Sequence, residues 1–160
     1  MRKKFLSMVL LVLSMLSMAF SSPAKAPEVS FSTLDGKTYY FSDFKGKVVL
    51  VNFFASYCPP CMVELKELAK LYKKYQDDGL VVVSLMVDEE GQALLPQIVE
   101  AKGITYPVGV ATEKVLKAFG DPPITPTTFI INKEGVVVKR LLGYTGRKYL
   151  EKKIREYLEE

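Results

Sequence analysis

Cys58 and Cys61 stand three positions apart, separated by Pro59 and Pro60, and they are the only cysteines in a chain of 160 residues that has no histidine. Two close cysteines serve three kinds of chemistry: a structural bridge, a metal site, or thiol–disulfide exchange. A structural bridge normally closes a long loop, because in the loop-entropy model its effect grows with the residues enclosed, and two intervening residues constrain little. A structural zinc site wants four Cys or His ligands, and this chain offers two. The pair therefore reads as a reactive dithiol. Exchange needs a thiolate to attack, a second thiol to resolve the mixed disulfide, and access to a partner. At a helix N-terminus, unpaired N–H groups and the helix dipole draw a thiol's pKa below its usual value of about 8.5. Cys58, at the start of the helix expected here, is assigned as nucleophile, and Cys61, one turn deeper, as resolving thiol. Pro59 and Pro60 stiffen the turn but have no N–H to offer the Cys58 sulfur.

The flanking segments must position this pair. Val48 to Phe54 is almost wholly apolar and β-branched or aromatic, the pattern of a strand buried on both faces. Pro59 suits the first turn of a helix. Met62, Leu65, Leu68, Ala69, Tyr72 and Tyr75 then recur at helical spacing, with Glu64, Lys66, Glu67, Lys70, Lys73 and Lys74 between them, predicting a helix over 59–76. Asp77-Asp78-Gly79 stops it, and Leu80 to Val87 is a second apolar strand, which completes a right-handed βαβ unit with parallel strands. Upstream, residues 29–41 read as a hairpin turning at Asp35-Gly36, followed by one helical turn near 42–46. Downstream come a helix near 91–102, an extended piece at 106–110 and a helix near 112–119, with Gly103 and Gly120 as stops. Asp121-Pro-Pro-Ile-Thr-Pro126 is too proline-rich for helix or central strand. It leads into strands at 127–132 and 136–142, paired across Lys133-Glu134-Gly135, and a closing helix at 146–159 striped by Tyr149, Leu150, Ile154 and Leu158. The whole is an α/β fold, a central mixed β-sheet flanked by helices. Active groups in such sheets sit at the carboxyl ends of the parallel strands, where Cys58 falls.

The N-terminus is set apart by composition. Arg2, Lys3 and Lys4 precede an uncharged run from Phe5 to Phe20 and a small-residue patch from Ser21 to Ala26, the layout of a secretory signal peptide. The 16 residues of the run fall just short of the roughly 17 a spanning helix needs, so residues 1–26 read as signal peptide or membrane anchor, with cleavage after Ala24 or Ala26 and the domain proper over 27–160. If the segment is retained, membrane contact runs through residues 5–20. Four of the 22 basic residues (Arg2, Lys3, Lys4, Lys25) lie in this segment, which has no acidic residue, so 18 basic residues face 18 acidic ones from Pro27 onward. The net charge of +4 is thus a targeting feature, and a nucleic-acid partner is not expected. Export also places the cysteines where disulfides persist.

The strand, the C-x-x-C at a helix start and the later Ile-Thr-Pro126-Thr-Thr-Phe together resemble a thioredoxin-fold oxidoreductase. More narrowly, the exported N-terminus, the opening hairpin, Val-Asn-Phe-Phe-Ala-Ser-Tyr-Cys-Pro-Pro-Cys and Pro-Thr-Thr-Phe-Ile-Ile-Asn resemble the TlpA/ResA-like class over residues 28–158. The separation of 39 positions between Val87 and Pro126 is enough for the αβ insertion of that class. The resemblance implies a cis-proline at Pro126 facing the dithiol, with Thr125 offering backbone groups to an extended client segment and Tyr57 and Pro59 flanking the docking edge. Tyr57 stands where the class usually has tryptophan, which leaves partner preference open. Asn52 stands where thioredoxins carry a buried aspartate that moves protons for the resolving thiol, a role an amide cannot fill. Glu89 matches a glutamate lining the active-site cavity of ResA-like proteins and is assigned to proton transfer, although which of Asp88, Glu89 and Glu90 faces the site is left open.

By resemblance the protein is an exported, monomeric reductant in the periplasm or anchored on the outer side of the cytoplasmic membrane. It would draw electrons from a membrane thiol carrier and reduce client disulfides, apocytochrome c among them, with no cofactor beyond the Cys58–Cys61 disulfide. A peroxiredoxin would need threonine where Ala55 stands. The alternative from another class is a copper-binding chaperone, since two thiolates can hold Cu(I), although the usual histidine is missing.

Overall fold

In the computed structural model, residues 24–160 are described; the expected targeting segment falls outside them except for its last three residues. The opening hairpin pairs β1 (Ser30–Ser32) with β2 (Thr38–Tyr40), Phe31 opposite Tyr39. A 3₁₀ turn at Phe41–Phe44 leads into β3 (Val48–Phe54), all seven residues of which are buried. Then follow α1 (Pro59–Tyr75), β4 (Leu80–Met86), a 3₁₀ turn at Glu89–Leu94, α2 (Leu95–Lys102), β5 (Val108–Val110), α3 (Glu113–Ala118), β6 (Thr127–Ile131), β7 (Val137–Leu142) and α4 (Arg147–Glu159). Among the described residues the main sheet has the order β5-β4-β3-β6-β7. Strands β3, β4 and β5 are parallel, and β6 and β7 are antiparallel to their neighbours. This is the expected mixed sheet, with the hairpin and the αβ insertion in place.

The side-chain alternation of β3 divides the core. Val48, Leu50 and Phe54 pack with α1 and α4, whereas Val49, Val51 and Phe53 face Phe31, Phe41, Val115 and Phe119 on the other side. Asn52 belongs by this alternation to the α1 side. In register with it lie Ser84 on β4 and Thr128 on β6. Three polar residues therefore form one row across three strands, none more than 1% exposed.

Three expectations shift in detail. The helix expected over 91–102 is a 3₁₀ turn followed by α2, because Pro96 has no N–H to continue a helix and sits instead in the first turn of a new one. The buried stripe of α4 is Leu150, Ile154 and Tyr157, while Tyr149 is 39% exposed. Ala24 to Ala26 lie against the edge of β7: the Ala26 amide donates to Gly135 O at 2.7 Å and the Val137 amide to Ala24 O at 2.8 Å. Among the described residues no helix is long and apolar enough to cross a membrane.

Candidate active site

Strand β3 ends at Phe54, and four residues later Cys58 is the N-cap of α1 in extended backbone conformation. The two prolines that open α1 have no N–H, so Cys61 supplies the first helix amide, which donates to Cys58 Sγ at 3.3 Å. Cys58 and Cys61 form a disulfide with Cα atoms 5.2 Å apart. Cys58 keeps 7% exposure and Cys61 none. The Thr125–Pro126 peptide bond is cis, and Thr125 O lies 3.6 Å from Cys58 Sγ. Tyr57 is 77% exposed beside the pair, Pro59 and Pro60 are exposed, Thr125 is half-buried and Pro126 is buried.

The turn that carries Cys58 is clasped from the segment just after β4. Asp88 accepts hydrogen bonds from the Ser56 backbone N–H at 2.8 Å and from the Ser56 hydroxyl at 2.5 Å. Gly91 packs directly on this clasp, where a Cβ would overlap both the Asp88 carboxylate and the Ser56 side chain. Of the three neighbouring carboxylates Asp88 is thus the inward one, committed to the backbone of the turn. Glu89 and Glu90 are exposed.

The buried carboxylate is Glu64, three residues after Cys61 and 1% exposed. Residues three apart share a helix face. Its Oε1 accepts from Asn52 Nδ2 at 2.9 Å and from the Thr128 hydroxyl at 2.7 Å, while Oε2 is buried without a hydrogen-bond partner. Burial pushes the Glu64 carboxyl above its ordinary value, aided by the negative charge of Glu67, while Thr128, the Thr145 backbone and Asn52 pull it down. A carboxyl held high, with one oxygen free, is suited to exchanging a proton with a thiol. Helical spacing alone had set Glu64 among the polar residues of α1. The signal that finds it is its place inside the stripe Cys61, Glu64, Leu65, Leu68, where a charge interrupts the i, i+3, i+4, i+7 pattern of a core face.

Among the described residues no cluster of three or more His, Cys, Asp or Glu has metal-binding geometry. Two sulfurs joined as a disulfide at a helix start suit exchange.

The Redoxin family model matches residues 22–158. The thiol-disulfide oxidoreductase ResA of Bacillus subtilis (strain 168) is 36% identical over 126 residues, 78% of this chain and 69% of the relative. ResA of Bacillus thuringiensis (strain Al Hakam) is 34% identical over 128 residues, 79% and 73% of the two chains. Among solved structures, a thiol:disulfide interchange protein of the thioredoxin family from Chlorobium tepidum TLS superposes with a TM-score of 0.80 at 31% identity, over 88% of this chain and 99% of that one.

Proposed function

The chain belongs to the redoxin family and is a protein thiol–disulfide oxidoreductase of the TlpA/ResA-like class, and from that premise we propose that it is exported and works as a reductant of client disulfides. The observation that carries this reading is the asymmetry of the pair: Cys58 keeps 7% exposure, with its sulfur 3.6 Å from the Thr125 carbonyl, and Cys61 is fully buried, one helical turn before Glu64. A client segment laid in extended form along Thr125 and Pro126 brings its own disulfide to Cys58, with Tyr57 and Pro59 as the exposed flank.

In the reduced protein the Cys58 thiolate attacks one client sulfur, and the other leaves as a thiolate. Cys61 gives its proton to Glu64 Oε2 and attacks Cys58 Sγ, which releases the second client thiolate and re-forms the Cys58–Cys61 disulfide. Two electrons pass to the client, whose thiolates take up protons from Glu64 and solvent. A thiol carrier in the membrane restores the dithiol by the reverse exchange. The protein acts as a monomer, and the two cysteines of an apocytochrome c haem-attachment motif are the client chemistry best matched to the class. Residues 1–26 serve as leader or anchor, cut after Ala24 or Ala26 if cleaved; a cut after Ala24 would keep Lys25 and Ala26 on the edge of β7.

The test is Cys61→Ser expressed in the native host, with identification of proteins disulfide-linked to Cys58. Clients and the electron donor are expected there. Exchange activity retained by Cys58→Ser, with no mixed disulfide in Cys61→Ser, overturns the assignment. Tight stoichiometric Cu(I) binding by the reduced protein, without disulfide reductase activity, would favour a copper chaperone instead.

A further inference from the structure

The geometry points to Ser84 and Tyr106 as positioning residues, the donor end of a one-way hydrogen-bond chain that fixes the Asn52 amide and confines proton exchange at Glu64 to Oε2. The inference rests on the reading above that Glu64 serves Cys61. Five side chains take part, from β4, β3, β6, α1 and the segment before β5. Tyr106 Oη lies 3.1 Å from Ser84 Oγ, and Ser84 Oγ lies 3.3 Å from Asn52 Oδ1. Asn52 Nδ2 reaches Glu64 Oε1 at 2.9 Å and Thr128 Oγ1 at 3.0 Å.

Counting hydrogens sets the direction. An ionised carboxylate only accepts, so the single Thr128 hydroxyl hydrogen goes to Glu64 Oε1, and the Thr128 oxygen accepts from Asn52. Both hydrogens of Nδ2 are then used, which turns Oδ1 toward Ser84. Ser84 has one hydrogen, and it is spent on Oδ1; the Ser84 oxygen therefore accepts from Tyr106. Burial holds the Tyr106 phenol far above its ordinary pKa, so it stays a donor, and the Tyr72 ring packs edge-on against it with centroids 5.7 Å apart. Each bond in the series leaves the next with one possible polarity.

Without Ser84, Oδ1 is a buried acceptor with no donor, and only the Nδ2 bonds to Glu64 and Thr128 hold the amide in place. An amide held at one end only donates less well to the Glu64 carboxylate. The other groups facing Glu64 are left in place: Glu67 one turn along α1, the Thr145 backbone, Thr128, and Tyr144, whose hydroxyl donates to Glu67 Oε1 at 2.9 Å. The dithiol and Tyr106 complete the set.

The test compares Ser84→Ala and Tyr106→Phe with the unaltered protein by carbon NMR titration of the Glu64 carboxyl in the reduced state, alongside the pH profile of client reduction. Ser84→Ala should raise the Glu64 midpoint by about one pH unit, the scale of partly losing one charge-assisted hydrogen bond. Tyr106→Phe should raise it less, and the double variant no more than Ser84→Ala alone, since Tyr106 acts through Ser84. The activity profile should move the same way. A lowered melting temperature with an unmoved midpoint would mean a merely structural role and would overturn the inference; should Ser84→Ala not fold, the midpoint in Tyr106→Phe decides. If Glu64→Gln leaves the rate of resolution and its pH profile unchanged, the proton-transfer role of Glu64 falls, while the titration still decides whether Ser84 and Tyr106 set its ionisation.

Discussion

Replacing Glu64 by glutamine should make the protein gain stability relative to the unaltered one as pH rises toward neutral, and slow its chemistry. The carboxyl pKa is raised in the folded state above the ordinary 4.5 by burial, and Oε2 has no partner. Below the unfolded value, folded and unfolded chains both hold the proton, and the two proteins differ by a constant offset. As pH rises from there to the raised folded value, only the unfolded chain ionises, and the unaltered protein loses about 1.36 kcal/mol of stability for each unit separating the two. Above the folded value the loss is complete. The cost of a buried polar atom without a partner sets its size at about 1–3 kcal/mol, and Glu64→Gln escapes the ionisation part of it. Urea unfolding of both oxidised proteins at about pH 4, 6 and 8 reads the difference directly, and oxidation keeps the cysteines from titrating. In the same variant, resolution of a trapped mixed disulfide should slow by about 10²–10⁴-fold, the usual contribution of a positioned base. A stability difference that does not change with pH, or one that favours the unaltered protein increasingly as pH rises, would refute the reasoning.

Asp88→Ala should cost about 1–3 kcal/mol in chemical denaturation, because the Ser56 amide and hydroxyl lose their acceptor, and mixed-disulfide formation at Cys58 should slow with it. Gly91→Ala should cost a similar 1–3 kcal/mol by overpacking the same clasp, and less when combined with Asp88→Ala, which a double-mutant cycle measures. Tyr57→Ala, at a position 77% exposed, should change stability by no more than about 0.5 kcal/mol. It should lower kcat/KM for protein disulfides while leaving reduction of a small disulfide unchanged; an equal loss for both would remove Tyr57 from the docking edge.

What the sequence determined by itself was local or periodic. Two cysteines without a histidine, a proline pair at a helix start and an apolar strand ahead of it identify a reactive dithiol at a strand's carboxyl end, because helix capping, strand burial and ligand counting each act over a few residues. The order of strands and helices followed from the same patterns, and the family motif marked Thr125 and Pro126. Tertiary structure decided which carboxylate is buried one helical turn from Cys61. Glu89 and Asp88 are adjacent in sequence, yet one is exposed and the other clasps Ser56. Glu64 is divided by twelve positions from Asn52 and by 64 from Thr128. Only the pairing of β3 with β4 and β6 lays Asn52, Ser84 and Thr128 in one row, and only the packing of α1 over that row buries Glu64 upon it. Helical periodicity tells which residues share a face, but the charge a core will accept depends on the donors that other strands bring beneath it.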